Sequence, residues 1–474
     1  MTIVKEYTHL TWTTDQDDPL GMGRPPAAAP WHNWARTAHA TPRSVSYPCN
    51  LDDLVTTVRR AGTDGMRVRA VGGGHSFTPA AVTDGVHVVL DAVNALERVV
   101  PQPDGSTHVT VGAGIRLGAL NTLLAQHGLA MRNLGDIDKQ SIAGAISTGT
   151  HGTGARLGGL ATQVVGARIV MASGDVVETS RTHRPELFEL ARLGLGSVGV
   201  LAAVTLEVVP AFRLEAREEP WALDDVLDGL DELVDGNDHF EFYWFPHTRR
   251  ALTKRNNRVP DDVEHRLNPV RSFVDDELLS NGLFALTNRV ATLVPPATAT
   301  INGIAARALS ARRYTAPSAE VFISPRRVKF REMEYAVPRA ELIGVLQEID
   351  RWIEASGERV PFPVEIRFAA QDDLWLSTAH GRETAYVAVH QYVRLPYTRY
   401  FSAVERIVAQ VEGRPHWGKL HWLDAERLGL VYPRFADAQR VRNQADPEGM
   451  FSNPYLDRVL GPVAGLERVP EAVA

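Results

Sequence analysis

Three groups of residues in this sequence have the types and spacing that chemistry requires. The first is Gly72-Gly73-Gly74-His75-Ser76, which follows an apolar run ending at Val71. Three residues without a Cβ let successive backbone N–H groups converge on one anion, a pyrophosphate for example, and the His75 imidazole would lie beside it. The dinucleotide fingerprint G-x-G-x-x-G is not met, because Phe77 stands where its last glycine belongs, so a phosphate loop here is not of the Rossmann kind. A plain tight turn is the competing reading of the loop alone. The second group is Glu365 and Arg367 in V-E-I-R-F, at i and i+2 of a strand and therefore on one face. A carboxylate there can accept a proton or bind hydroxyls, and a guanidinium can stabilise developing negative charge. Their neighbours Val364, Ile366 and Phe368 favour a cavity wall over a surface ion pair. The third is Lys419 in H-W-G-K-L-H, between His416 and His421. That histidine spacing is not a zinc motif and no H-E-x-x-H occurs, which leaves an ammonium in an aromatic-rich loop and no predicted metal.

A fourth stretch, Asn133 to Gly154, is rich in glycine, serine and threonine, yet Ile137, Ile142 and Ile146 recur through it. That regularity argues against a flexible linker. Small side chains let a backbone run close along a ligand, with hydroxyls supplying hydrogen bonds.

The elements that must hold these groups follow from periodicity. Asn50 caps a helix with Leu51, Leu54, Val55 and Val58 on one face and Gly62 at its end. Strands are predicted at Val68–Val71, Val86–Leu90 and His108–Val111, and a helix from Leu117 is stopped by Gly128. A hairpin turns at Ser173-Gly174-Asp175, and a buried strand runs to Val209. Beyond Pro210 the pattern changes to a helix at Asp224–Val234, strands at 239–245, 328–337, 364–368 and 385–392, and helices to about Ser356 and Val411, which suits an antiparallel sheet covered by helices. The expected organisation is an α+β chain with a lead-in at 1–41, a ligand-binding domain at 42–210, a second domain at 211–423 and a tail at 424–474 that returns to the first domain. Residues 278–309 read as a helical insertion broken at Pro295-Pro296, with a peripheral membrane or subunit contact as the sharper alternative.

The length of 474 residues allows two or three domains. A net charge of −7 argues against nucleic acid as a partner. The single Cys49 excludes an internal disulfide and, with no secretory signal pattern at the N-terminus, points to a cytoplasmic setting.

Taken in order, R-A-V-G-G-G-H-S-F, N-L-G-D-I-D-K-Q-S-I-A-G, G-T-H-G-T-G, F-R-E-M-E-Y-A-V-P, V-E-I-R-F and R-P-H-W-G-K-L-H resemble the vanillyl-alcohol-oxidase family of flavoproteins, in its aldonolactone and alditol oxidase branch. The resemblance runs from about Pro42 to the C-terminus. It implies a PCMH-type FAD-binding fold with an antiparallel substrate domain. Val71, Gly72, Gly73, Gly74, His75 and Ser76 would hold the FAD pyrophosphate, with His75 at the position that bonds covalently to the flavin. Gly135, Asp136, Ser141, Gly144, Thr148, Gly152, Thr153, Gly154 and Val200 would run along the cofactor. Glu365, Arg367 and Lys419 match the branch's catalytic and substrate residues, with His390 and Asp136 as further substrate contacts. Asp136 departs from the serine of relatives, and Cys49 precedes the loop and cannot supply a second covalent link. Gly135 lies where an alanine closes, and a glycine opens, the path of dioxygen to the flavin. The implied reaction is oxidation of a sugar 1,4-lactone, with O2 or another acceptor taking the electrons. An alditol or other polyol is the alternative substrate, and a non-catalytic flavin-bearing binding protein the alternative of another class.

Overall fold

The helix after Asn50 forms over Leu51–Thr63, where the Asn50 side chain accepts the Asp53 N–H at 2.9 Å and Leu54, Val58 and Ala61 are buried. It runs one residue past Gly62, and the left-handed turn that follows falls on Gly65, with φ of +63°. The structure is a computed structural model that describes residues 30–265, 298–324 and 328–463. The helix connects Ser44–Ser46 to Val68–Val71, and both strands pair in parallel with Val86–Val89. This small parallel sheet packs beside an antiparallel one of Leu96–Pro101, Thr107–Gly112, Val200–Pro210, Val164–Val170 and Val176–Ser180, with Leu129–Ala130 on the flank. The two share one core, from Leu54 and Val88 to Val204 and Leu206.

The second half is an eight-stranded antiparallel sheet in the order Arg312–Pro317, Arg213–Ala222, Arg250–Val259, His239–Phe245, Val364–Ala369, Thr384–Tyr392, Phe330–Pro338 and Arg414–Pro415. Its central strands alternate strictly. Phe240, Phe242, Met333, Tyr335, Val364, Ile366, Val387 and Val389 face the helices Leu342–Ser356 and Thr398–Val408. The opposite face carries Glu241, Glu332, Glu334, Glu365, Arg367 and Tyr386, all buried. Val364, Ile366 and Phe368 therefore do not share a wall with Glu365 and Arg367, as the sequence reading had it, but point away from it.

Three of these strands, Arg213–Ala222, Arg250–Val259 and Arg312–Pro317, escape prediction because buried charges interrupt their apolar positions. Beside the fully buried Leu214 and Ala216, Glu215 is buried and paired with Arg217 of its own strand and Arg313 of the next, and Glu218 is buried and paired with Arg312 across the sheet. The expected helix at 224–234 is split at Gly229 into Leu223–Asp228 and Leu230–Asp235. Of the expected insertion at 278–309, residues up to 297 lie outside the described residues. The remaining helix, Thr298–Ala308, is fastened by Asn302, whose amide donates to the carbonyls of Pro246 and Val360. No helix among the described residues is long and apolar enough to cross a membrane.

Both flanking segments close on the glycine loop. Trp34 stacks on His75 with ring centres 5.8 Å apart, and its N–H donates to the Gly74 carbonyl at 2.7 Å. From the other end, Val68 N–H donates to the Met450 carbonyl at 2.8 Å, Arg69 Nη1 to the Phe451 carbonyl at 2.6 Å, and the Asn453 amide to the carbonyls of Pro79, Ala80 and Val82.

Candidate active site

The buried charged face of the second sheet does not meet water. It meets the loop ends of the first half, and a cavity lies between them. A groove runs from it along the glycine loop. His75, Ser76, Gln140 and Thr148 line both spaces and mark where they join.

Val71, Gly72, Gly73, Gly74, Ser141, Gly144 and Val200 line the groove with the four junction residues. The local sequence explains the close approach. A Cβ on Gly72 would lie 2.3 Å from Ser141 Oγ and one on Gly73 2.4 Å from the Lys139 carbonyl, while Gly74 has φ of +66°. Ser141 is positioned as the cap of Ile142–Ser147, accepting the Gly144 N–H at 3.2 Å. Arg69 also lines the groove, and its buried Nε has no partner among the described residues. An elongated groove with bare backbone at one bend and a spare cationic donor fits a dinucleotide cofactor such as FAD. His75 is kept largely neutral, its pKa lowered by burial and then by the Arg116 charge.

Gly152, Thr153 and Gly154 line neither space. Thr153 Oγ1 donates to the Phe240 carbonyl and accepts the Phe368 N–H, and Gly154 N–H donates to the Phe368 carbonyl at 2.8 Å. Thr153 and Gly154 stitch the two halves together, while Gly152 packs closely on Leu134 and Asn133.

In the cavity stand Gly135, Asp136, Glu365, Arg367 and Lys419, brought together from a loop, a strand and the segment after Arg414–Pro415. Arg367 Nη2 is 2.5 Å from Glu365 Oε1 and 3.7 Å from Asp136 Oδ2, and its Nε is 2.9 Å from Glu241 Oε2. Burial works against its charge, but Glu365 and then Glu241 outweigh it and hold the guanidinium's pKa well above its usual value. Lys419 pairs with Glu332, and its Nζ is 3.7 Å from Glu334 Oε2. Burial again opposes the charge, and Glu332 and Glu334 raise the ammonium pKa in spite of it. Glu332 itself is held down to about 2, burial being outweighed by Lys419 and then His390.

His390 does not reach the cavity. It lies behind it, edge-on to Phe330 at 5.1 Å, with Nε2 3.5 Å from Glu332 Oε1 and 3.9 Å from Glu365 Oε2. Sequence reasoning passed over Glu332, Glu334, His151 and Tyr386, which line the cavity together with His416. A signal existed for the glutamates: E-M-E repeats the i, i+2 logic of E-I-R in a neighbouring strand. His151, stacked on Tyr386 at 3.5 Å, bonds Glu334 at 2.7 Å through Nε2 and the Gly152 carbonyl at 2.9 Å through Nδ1. His151, Glu334 and His416 could offer three metal ligands within 4.8 Å of one another. However, His416 Nδ1 already accepts the Gly418 N–H at 2.9 Å, so neutral His416 presents a proton at Nε2 and no free lone pair.

The chemistry available is polar and protic: fixed cations beside buried carboxylates, opening onto a dinucleotide groove. Known proteins resemble the chain in sequence and in fold. A family model described as D-arabinono-1,4-lactone oxidase matches residues 204–459, and one described as FAD binding domain matches residues 42–180. The chain is 40 % identical over 434 residues to the L-gulono-1,4-lactone dehydrogenase of Mycobacterium tuberculosis, spanning 91 % of this chain and 99 % of that protein. It is 33 % identical over 439 residues to the L-gulonolactone oxidase of Bos taurus, spanning 90 % and 98 %. Among solved structures, cholesterol oxidase from B. sterolicum superposes with a TM-score of 0.75 at 20 % identity, over 91 % of this chain and 96 % of that one, a likeness of fold alone. With both matched regions contributing to the charged cavity, the chain belongs to the D-arabinono-1,4-lactone oxidase family of FAD-linked oxidoreductases.

Proposed function

We propose that the protein oxidises a CH–OH group of an aldono-1,4-lactone of the L-gulono or D-arabinono type, with FAD as the hydride acceptor and dioxygen as the final oxidant. The observation that carries this reading is the pair of fixed cations, Arg367 and Lys419, in one cavity at the junction with the FAD groove. FAD, when bound, supplies the acceptor for the hydride that leaves the carbinol carbon. The chain's residues do the rest. Arg367 and Lys419 donate to the substrate oxygens and stabilise the charge that grows as the hydroxyl proton departs. Glu365 offers a carboxylate to take that proton, and Glu332 and Glu334, held ionised, accept hydrogen bonds from the remaining hydroxyls. Asp136, 3.7 Å from Arg367, adds an acceptor to the same wall. His75, kept largely neutral, has a nucleophilic nitrogen at the junction and is the candidate for covalent flavin attachment.

The family's names divide between oxidase and dehydrogenase, and Gly135 supports the oxidase. A Cβ there would sit 3.1 Å from the His151 carbonyl and 3.2 Å from Thr150 Cγ2, so the glycine keeps open a narrow space that a methyl would fill. The similarity to a dehydrogenase at 40 % identity favours the second reading, in which another acceptor replaces dioxygen.

The experiment is anaerobic mixing of the holoenzyme with L-gulono-1,4-lactone, D-arabinono-1,4-lactone and a panel of alditols, followed by flavin absorbance and then by admission of air. Fast bleaching by a lactone supports the proposal. Bleaching by alditols alone moves the substrate to polyols, and no bleaching by any of them sinks the enzymatic reading.

A further inference from the structure

Arg367 is held from two sides, and only one of them is the cavity. Glu365 and Asp136 approach Nη2 on the cavity wall, whereas Glu241, one strand over, takes Nε from outside it. The other oxygen of Glu241 is 3.0 Å from Nζ of Lys254, its partner in the antiparallel register, and accepts the Tyr243 hydroxyl at 3.2 Å. Lys254 is 9 % exposed and does not line the cavity. Ammonium, carboxylate, guanidinium and carboxylate thus form a row across three neighbouring strands.

The order of charges matters. Arg367 with Glu365, Glu241 and Asp136 is a buried cluster of net charge −2, and Lys254 reduces it to −1. Lys254 also engages Oε1 of Glu241 and leaves Oε2 for Arg367. A glutamate with both oxygens free would grip the guanidinium bidentately and draw its fork off the cavity wall. We propose that Lys254, acting through Glu241, is the positioning residue that keeps the Arg367 guanidinium turned to the substrate cavity. This rests on the reading of Arg367 as a substrate-facing cation of the lactone site. The groups facing Glu241 are Lys254, Arg367 and Asp136, with Tyr243 on its own strand, and Glu218 and Tyr314 approach Lys254 from behind.

The test uses the holoenzyme with Lys254→Met and Lys254→Arg, each alone and combined with Arg367→Lys. Flavin content and single-turnover flavin reduction by L-gulono-1,4-lactone are read across pH. Lys254→Met should keep its flavin, reduce it about 10-fold more slowly, the scale of a small misplacement of a reacting group, and gain an acidic limb as Glu241 takes up a proton. Lys254→Arg should recover to within about threefold and lose that limb. On the Arg367→Lys background, Lys254→Met should cost less than about twofold, because no guanidinium is left to orient. A Lys254→Met rate within about twofold of wild type at every pH overturns the proposal, as does an equal loss on both backgrounds. An unimpaired Arg367→Lys would instead sink the site reading. If Lys254→Met does not fold, Glu241→Gln decides, since it keeps the side-chain shape and removes the charge: a roughly 10-fold loss supports the proposal and an unchanged rate overturns it.

Discussion

Replacing Lys419 by methionine keeps the side-chain length and removes a positive charge that two buried carboxylates share. Glu332 and Glu334 sit two residues apart on one strand face, and both approach the Lys419 ammonium. Burial alone would push Glu332 upward, yet it is held from 4.5 down to about 2, with Lys419 the largest opposing cause and His390 the next. At roughly 1.4 kcal/mol per pKa unit, that depression is worth about 3 kcal/mol of stability, most of it from Lys419. The sign follows from a folded pKa below the unfolded one, near 4.3: the contribution is complete above about pH 5 and is lost as pH falls toward 2. Lys419→Met should therefore cost about 3 kcal/mol at pH 7, less below about pH 4, and almost nothing near pH 2. Urea unfolding followed by tryptophan fluorescence across this range measures the difference. On the same protein at pH 7, flavin reduction by the lactone should fall at least about 100-fold, the scale of losing one charge-stabilising donor. A stability loss that is flat with pH would refute the shared-ammonium argument. A normal reduction rate would remove Lys419 from the reaction.

Three further outcomes follow from the same geometry. Wild-type protein precipitated with acid should stay yellow and His75→Ala should release its flavin to the supernatant; a white wild-type pellet rules out the covalent link. Gly135→Ala should slow the reoxidation of reduced enzyme by air in a stopped-flow experiment, because the new methyl presses on the His151 carbonyl and Thr150; equally slow reoxidation in both proteins would establish a dehydrogenase. Gly72→Ala should lose its flavin, since the added Cβ falls 2.3 Å from Ser141 Oγ, and Ser141→Gly in the same chain should restore part of the binding. Failure of that rescue would show that backbone conformation, and not space, demands the glycine.

What the sequence disclosed, and what it hid, has a physical pattern. The strand at Val68–Val71 and the helix behind Asn50 were legible because apolar period and capping chemistry agree there. The strands rich in arginine and glutamate were not, because buried ion pairs interrupt the apolar positions on which periodicity depends. In the cavity, Glu365 and Arg367 stood out through their spacing, Lys419 through the histidines and tryptophan around it, and Asp136 through the resemblance. Glu332, Glu334 and His151 were hidden inside motifs quoted only as signatures of kinship. Glu241 and Lys254 could not be seen at all, since what joins them to Arg367 is strand order, and strand order is written in no local stretch. Thr153 and Gly154 bond across the seam between the two halves, a role their place in a glycine-rich run did not announce.

The stitching of the Met450–Asn453 segment onto the glycine loop bears on how the chain is born. Arg69 and the Phe451 carbonyl that it grips are 382 residues apart. A nascent chain can make its parallel strands and the helix between them early, but the wall behind the glycine run arrives only with a segment made 382 residues after Arg69. Over that interval the phosphate cradle lacks its backing, and the buried Arg69 head has no carbonyl at position 451 to hold. Cofactor capture is therefore expected to wait for closure of a very long loop, whose entropic cost is met only once most of the core has formed. Nascent chains arrested with residue 440 or residue 463 just outside the exit tunnel should differ in retained flavin, the shorter ones releasing it; equal retention would show that the cradle matures without its final clasp.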